Sequence, residues 1–210
     1  MNVLYLPMKV NDNKNIVKQN NMSRVKILVI IALYAMIMMP LQAQEWQTVS
    51  KFEFEMWGGL GVPLGGYHRG DSKTGASVGM SLRYNFSEIP VDCGVYVALN
   101  SARRDFKRYS GDGDYYQNNR TGSFGIEGNY NFGQGLKVNP FAGLCLGVGV
   151  NDVVGDRHVL SSGTTMSIMP RLGVELFHHL RVGAYCQLTR RGYNNAGLMI
   201  GVVVGGRPRK

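Results

Sequence analysis

The chain has 210 residues, 28 of them glycine, and carries 23 basic against 14 acidic residues with 44% apolar content. Glycine at about twice its ordinary frequency disfavours a helical bundle, because each one inside a helix costs about 1 kcal/mol against alanine, and the absence of a three-residue glycine period excludes collagen. Charged residues at 18% and aromatics at 10% are the reverse of a disordered composition, so the chain is expected to fold, and as β-structure.

Much of the positive charge sits at the start. Residues 1–43 hold Lys9, Lys14, Lys18, Arg24 and Lys26 against Asp12, leaving 18 basic and 13 acidic residues from Gln44 onward. A surplus that small, spread over many segments, does not make the continuous basic face that nucleic acid requires, and no nucleic-acid partner is expected. Residues 22–43 read as a signal peptide: Arg24 and Lys26, an apolar stretch from Ile27 to Met39, Pro40, then Ala43 at the cleavage position. The apolar run of about 13 residues is short of the roughly 20 that a spanning helix needs. Residues 1–21 fit no part of a signal, which leaves Met1 and Met22 as alternative starts. The domain reading is therefore an extension and signal over 1–43 and one β-domain over 44–210.

From Lys51 onward the apolar residues recur with period two, as in strands that show one face to an apolar medium and the other to a polar one. The first row is Phe52, Phe54, Met56, Leu60, Val62, and the second is Ala76, Val78, Met80, Leu82, Tyr84, Phe86. Then come Cys93, Val95, Val97, Leu99, and Phe124, Ile126, Tyr130, Phe132. The second half supplies Ala142, Leu144, Leu146, Val148, Val150; Met166, Ile168, Leu172, Val174, Leu176; Leu180, Val182, Ala184, Cys186, Leu188; and Leu198, Ile200, Val202, Val204. These eight rows predict eight strands of roughly nine to twelve residues, the length that crosses a bilayer at a tilt.

The predicted links alternate. Those at 87–91, 133–137 and 177–179 are short, while the others are mostly longer and more polar, the longest running from Ser101 to about Asn119. Tyr84, Phe86, Tyr130, Phe132 and Phe177 all fall just before a short link, where an interfacial aromatic girdle would lie. With these features the chain resembles the small eight-stranded outer-membrane barrels, the family of OmpX and the transmembrane domain of OmpA. The resemblance covers the mature chain and implies an all-β, up-and-down antiparallel barrel in the outer membrane of a Gram-negative cell. It also implies a monomer surrounded by outer-membrane lipid and inserted by the barrel assembly machinery.

The opposite face carries Glu53, Glu55, Arg83, Asp92, Glu127, Arg171, Glu175 and Arg181. An eight-stranded barrel has room inside only for side chains, and buried charges must be paired. Arg83, Arg171 and Arg181 are therefore expected to meet Glu127, Glu175 and one of Glu53 or Glu55, with inward glycines such as Gly125, Gly143, Gly147, Gly173 and Gly183 leaving space. The expected function is structural or surface-interacting, with a filled lumen. Two alternatives are a small porin-like solute channel and a soluble periplasmic barrel with its apolar face inward, as in lipocalins.

Other motifs carry less. Cys93, Cys145 and Cys186 are odd in number and widely spaced, which suggests neither disulfides nor a metal site. His158, Ser161, Ser162, Asp152 and Asp156 have the composition of an ordinary loop, without a spacing that fixes a nucleophile beside its base, so no enzyme and no cofactor is expected. Asp112, Gly113 and Asp114 read as a turn rather than a calcium loop. Pro170, inside the sixth row, is expected to mark a bulge. Arg103, Arg104, Lys107 and Arg108 at the top of the third strand are candidates for contact with lipopolysaccharide phosphates.

Overall fold

The structure, a computed structural model, describes residues 49–64, 71–106, 115–155, 158–190 and 192–206. The chain divides into two units, Met1–Glu45 and Trp46–Lys210, and every described residue belongs to the second. The expected signal at 22–43 lies outside the described residues, as do Asp112, Gly113 and Asp114.

The described residues form eight antiparallel strands. They are β1 (Phe52–Pro63), β2 in two pieces (Asp71–Lys73 and Gly75–Asn85), β3 (Val91–Phe106), β4 (Tyr115–Asn131), β5 (Val138–Gly155), β6 (His158–Leu176), β7 (Leu180–Gln187) and β8 (Asn195–Gly205). Each pairs with its neighbour in sequence, and β8 returns to pair with β1, from Glu53↔Gly205 to Pro63↔Asn195. The sheet is closed, which leaves no edge within the belt where all eight strands run together.

Alternation decides which face is which. Every apolar row points outward: Phe52, Met56, Leu82, Val95, Ile126, Leu198 and Val204 are all exposed, Leu198 at 70%. The intervening residues point inward, and there Glu55 and Asp92 are 0% exposed. Polar inside and apolar outside is the reverse of a soluble barrel, so the lipocalin-like arrangement is not the one adopted. Such a surface is solvated by hydrocarbon rather than water. At the short-link end the outer face carries edge-to-face ring pairs, Phe52 with Tyr84 at 5.6 Å, Tyr84 with Phe86 at 5.4 Å and Tyr130 with Phe132 at 4.9 Å between centroids.

Two expectations are corrected. First, β3 to β6 are 16 to 19 residues long rather than nine to twelve. Polar residues beyond the apolar belt continue the ladder, so most of the segment read as a loop from Ser101 to Asn119 is strand, paired from Ser101↔Arg120 to Phe106↔Tyr115. Second, Pro170 makes no bulge. It keeps register with Leu144 on β5, and the β5–β6 register shifts instead between Val153 and Val154. What Pro170 changes is the β6–β7 ladder, which lapses between Arg171↔Tyr185 and the isolated bridge Ile168↔Leu188. The N–H of Ile168 points at β7, so the N–H that proline lacks two residues on would have pointed there too.

The short β6–β7 link lies where expected and turns on bulky residues. Phe177 and His178 have φ of 54° and 63°, and the N–H of His179 donates to the Leu176 carbonyl at 3.1 Å, the arrangement of a type I′ hairpin turn. Bulky residues disfavour that backbone, and neighbours hold it in place. The N–H of Phe177 donates to the Lys137 carbonyl at 2.7 Å, and the rings of His178 and His179 each reach a carbonyl, of Gly135 and Val203, at 3.0 Å.

Gly147 lies at one of several close backbone approaches in the wall. A Cβ there would collide with the Phe124 carbonyl oxygen and come within 2.9 Å of the Gly125 Cα on the adjacent strand. Gly147→Ala is expected to lower stability by about 1–3 kcal/mol, because backbone rather than a flexible side chain must move. Urea unfolding from lipid vesicles measures this, and an unchanged midpoint would refute it.

Candidate functional site

The inward faces of the eight strands meet along the barrel axis, and their side chains fall into three tiers. The tier nearest the short links is charged. It draws on the beginnings of β1, β3 and β7 and the ends of β2, β4 and β6, all of which lie at that end of the barrel.

Arg83 is its hub. Its guanidinium donates to both Glu53 and Glu55, and it lies 3.8 Å from Asp92 and from Glu127. Arg171 donates to Glu127 at 2.6 Å and to the Asn129 amide oxygen at 3.3 Å, and it reaches Glu55 at 4.0 Å. Arg181 donates through Nε to Glu175 at 2.8 Å, approaches Glu55 at 3.3 Å and Glu53 at 3.4 Å, and stacks its guanidinium 4.5 Å from the Phe141 ring centroid. Asn129 and Asn131 donate to the two oxygens of Asp92 at 2.6 and 2.7 Å. All eight charged residues that the sequence places on this face, Asp92 included, lie within this one network, and both first-strand glutamates take part rather than one.

Above the charges lies an apolar tier, a septum of Trp57, Tyr96, Ala98, Cys145, Met169, Tyr185 and Met199, all buried. Trp57 and Tyr185 approach to 5.8 Å between ring centroids, and Tyr185 shares a hydrogen bond with Ser77. Gly79 is what admits the indole, because a Cβ there would lie 2.8 Å from the Trp57 Nε1. Cys145 Sγ, 3.7 Å from Glu127, marks where septum meets charge.

The third tier, toward the long links, is polar without charge. Gln187 ties β7 to four other strands: its Nε2 donates to Ser123 at 3.0 Å and Ser167 at 3.3 Å, and its Oε1 accepts from Asn100 at 2.7 Å and Asn195 at 3.1 Å. Thr121 donates to Asn151 at 3.0 Å, and Asn151 to Thr165 at 2.8 Å. The link after β7 leans over this end, where Asn119 of β4 donates to the Gly192 carbonyl at 2.7 Å. Neither the septum nor the Gln187 tier was foreseen. Their residues alternate correctly in the sequence, but their meeting depends on cross-barrel register, which one strand at a time does not reveal.

The candidate surface residues lie elsewhere. Arg103 and Arg104 pair in the β3 ladder with Asn118 and Gln117, whereas Lys107 and Arg108 lie outside the described residues. His158, Ser161, Ser162 and Asp152 are not in a loop but on paired strands, with Asp152↔Ser162 and Gly155↔His158 in register, and Asp156 lies outside the described residues.

No protein-family model matches the chain, and no curated protein matches it. Solved structures do. Neisserial surface protein A is similar at 17% identity with a TM-score of 0.50, over 74% of this chain and 97% of that one. Ail, the attachment invasion locus protein of Yersinia pestis, is similar at 15% identity with a TM-score of 0.42, over 74% and 97%. The outer membrane protein OprG from Pseudomonas aeruginosa is similar at 14% identity with a TM-score of 0.42, over 77% and 97%. With an inverted polarity, a closed ladder of eight strands and the likeness to Neisserial surface protein A, the chain has the fold of the small eight-stranded outer-membrane β-barrels.

Proposed function

We propose that the protein is an integral outer-membrane barrel whose lumen is filled and whose role is structural or one of surface contact. The observation that carries this reading is the septum. Trp57, Tyr96, Met169, Tyr185 and Met199 close the bore between two polar tiers, so an ion crossing it would lose its hydration with nothing to replace it. Surface contact would fall to the long-link end, where Arg103 and Arg104 are followed by Lys107 and Arg108, cations suited to lipid phosphates.

Two measurements on one preparation test the proposal. The envelope-extracted protein is expected to migrate faster on a gel unboiled than boiled, as a closed membrane barrel does. In planar bilayers it is expected to pass little or no steady current, and Trp57→Ala is expected to introduce small conductance steps. Large, steady, ion-selective currents from the unmutated protein would reject the filled lumen and favour the channel.

A further inference from the structure

The charged tier does not balance. Five carboxylates, on Glu53, Glu55, Asp92, Glu127 and Glu175, share three guanidinium groups, on Arg83, Arg171 and Arg181, and all eight residues are buried. Among residues whose side chains are described, no other Lys or Arg is buried. Charge without a partner is costly where water is scarce, so two surplus carboxylates must either take up protons or meet positive charge from outside the network.

A second, independent feature lies at the short-link mouth. A cavity of about 10 Å³ is lined by Glu53 of β1, Glu175 of β6, Arg181 of β7, Asn131 of β4, Gln134 of the β4–β5 link and Gly206, among others. That is room for about one particle the size of a water molecule. Gln134 is 7% exposed; its Nε2 donates to the Phe86 carbonyl at 3.3 Å, while its Oε1 is buried without a donor. The cavity thus gathers two carboxylates of an over-acidic network and a buried amide with an unsatisfied oxygen, at the end reachable without crossing the septum.

We infer that this cavity binds one small monovalent cation, of the size of sodium or potassium, through the carboxylates of Glu53 and Glu175 and the amide oxygen of Gln134. Hard cations take oxygen ligands of this kind. A single charge fits better than a double one. Arg181 already lines the cavity, and among the described residues no three acidic, histidine or cysteine side chains are grouped to hold a metal ion.

Thermal unfolding of the full protein in detergent tests the inference, comparing sodium or potassium chloride with the chloride of N-methylglucamine, a cation too large for the cavity, at equal ionic strength. The small cations are expected to raise the midpoint by roughly 2–4 °C over the bulky one, for binding that stabilises only the folded state. Glu175→Gln and Gln134→Leu are expected to abolish that increment. Sodium-23 relaxation on the unmodified protein gives a second reading, independent of variant folding, in which sodium broadening is expected to be displaced by potassium. Equal midpoints in all three salts, an increment that survives both variants, or sodium lines unchanged by the protein would overturn the inference. So would a result in which replacing Arg207, Arg209 and Lys210 by serine creates a small-cation increment that the unmodified protein lacks, because the chain's own basic residues would then supply the charge.

Discussion

Arg83→Gln is expected to lower the free energy of unfolding by about 3–5 kcal/mol, the range for removing one member of a buried ion pair. Its guanidinium is the group through which Glu53 and Glu55 are held together, with Asp92 and Glu127 at 3.8 Å. Without it, those four carboxylates would share what Arg181 and Arg171 can offer. Glu127→Gln makes the instructive comparison, because it takes a charge from the side in excess. Arg171 would keep Asn129 at 3.3 Å and Glu55 at 4.0 Å, so this variant is expected to cost well under half as much. Urea titration of both from lipid vesicles decides the matter, and equal losses would refute the imbalance on which the comparison rests.

Ile126→Arg probes the other face. Ile126 is 63% exposed, stands in the middle of the outward row of β4 and is paired between Val95 and Leu146, which places it near the centre of the apolar belt. An arginine at the midplane of a barrel costs about 2–4 kcal/mol on the lipid side, and the cost falls to about 0–1 kcal/mol near an interface. Val138, 52% exposed and the first residue of β5, is the interfacial control. Folding yield into vesicles should drop sharply for Ile126→Arg and little for Val138→Arg. Similar yields for the two would mean that the belt is not the lipid-facing surface.

The outward rows could be read from the sequence because they depend on one strand at a time. A period of two assigns Phe54 and Glu55 to opposite faces whatever their neighbours are, and once the bore is known to be narrow, charge pairing follows for Arg83, Arg171 and Arg181. What could not be read depends on which strands face each other across the axis. Alternation alone puts Asp92 on the inward face, but its partners could not be read, and the structure supplies them as Asn129 and Asn131 on its two oxygens. Trp57 falls on the inward face by the same alternation, but that it rests against Gly79 does not follow from its own strand. Strand length was missed for a different reason. Hydropathy marks where a strand meets lipid, whereas the ladder from Ser101 to Phe106 is held by backbone hydrogen bonds to which hydropathy is blind.

The gap that Pro170 leaves has a consequence for how the wall yields. The β8–β1 junction, where the last strand meets the first, is laced without interruption from Glu53↔Gly205 to Pro63↔Asn195, but the β6–β7 junction is continuous only from Leu176↔Leu180 to Arg171↔Tyr185. A cylinder under lateral stress parts along its least-stitched line. In this protein that line runs between β6 and β7, so the barrel would unzip from within its final third while the joint between its first and last strands still held.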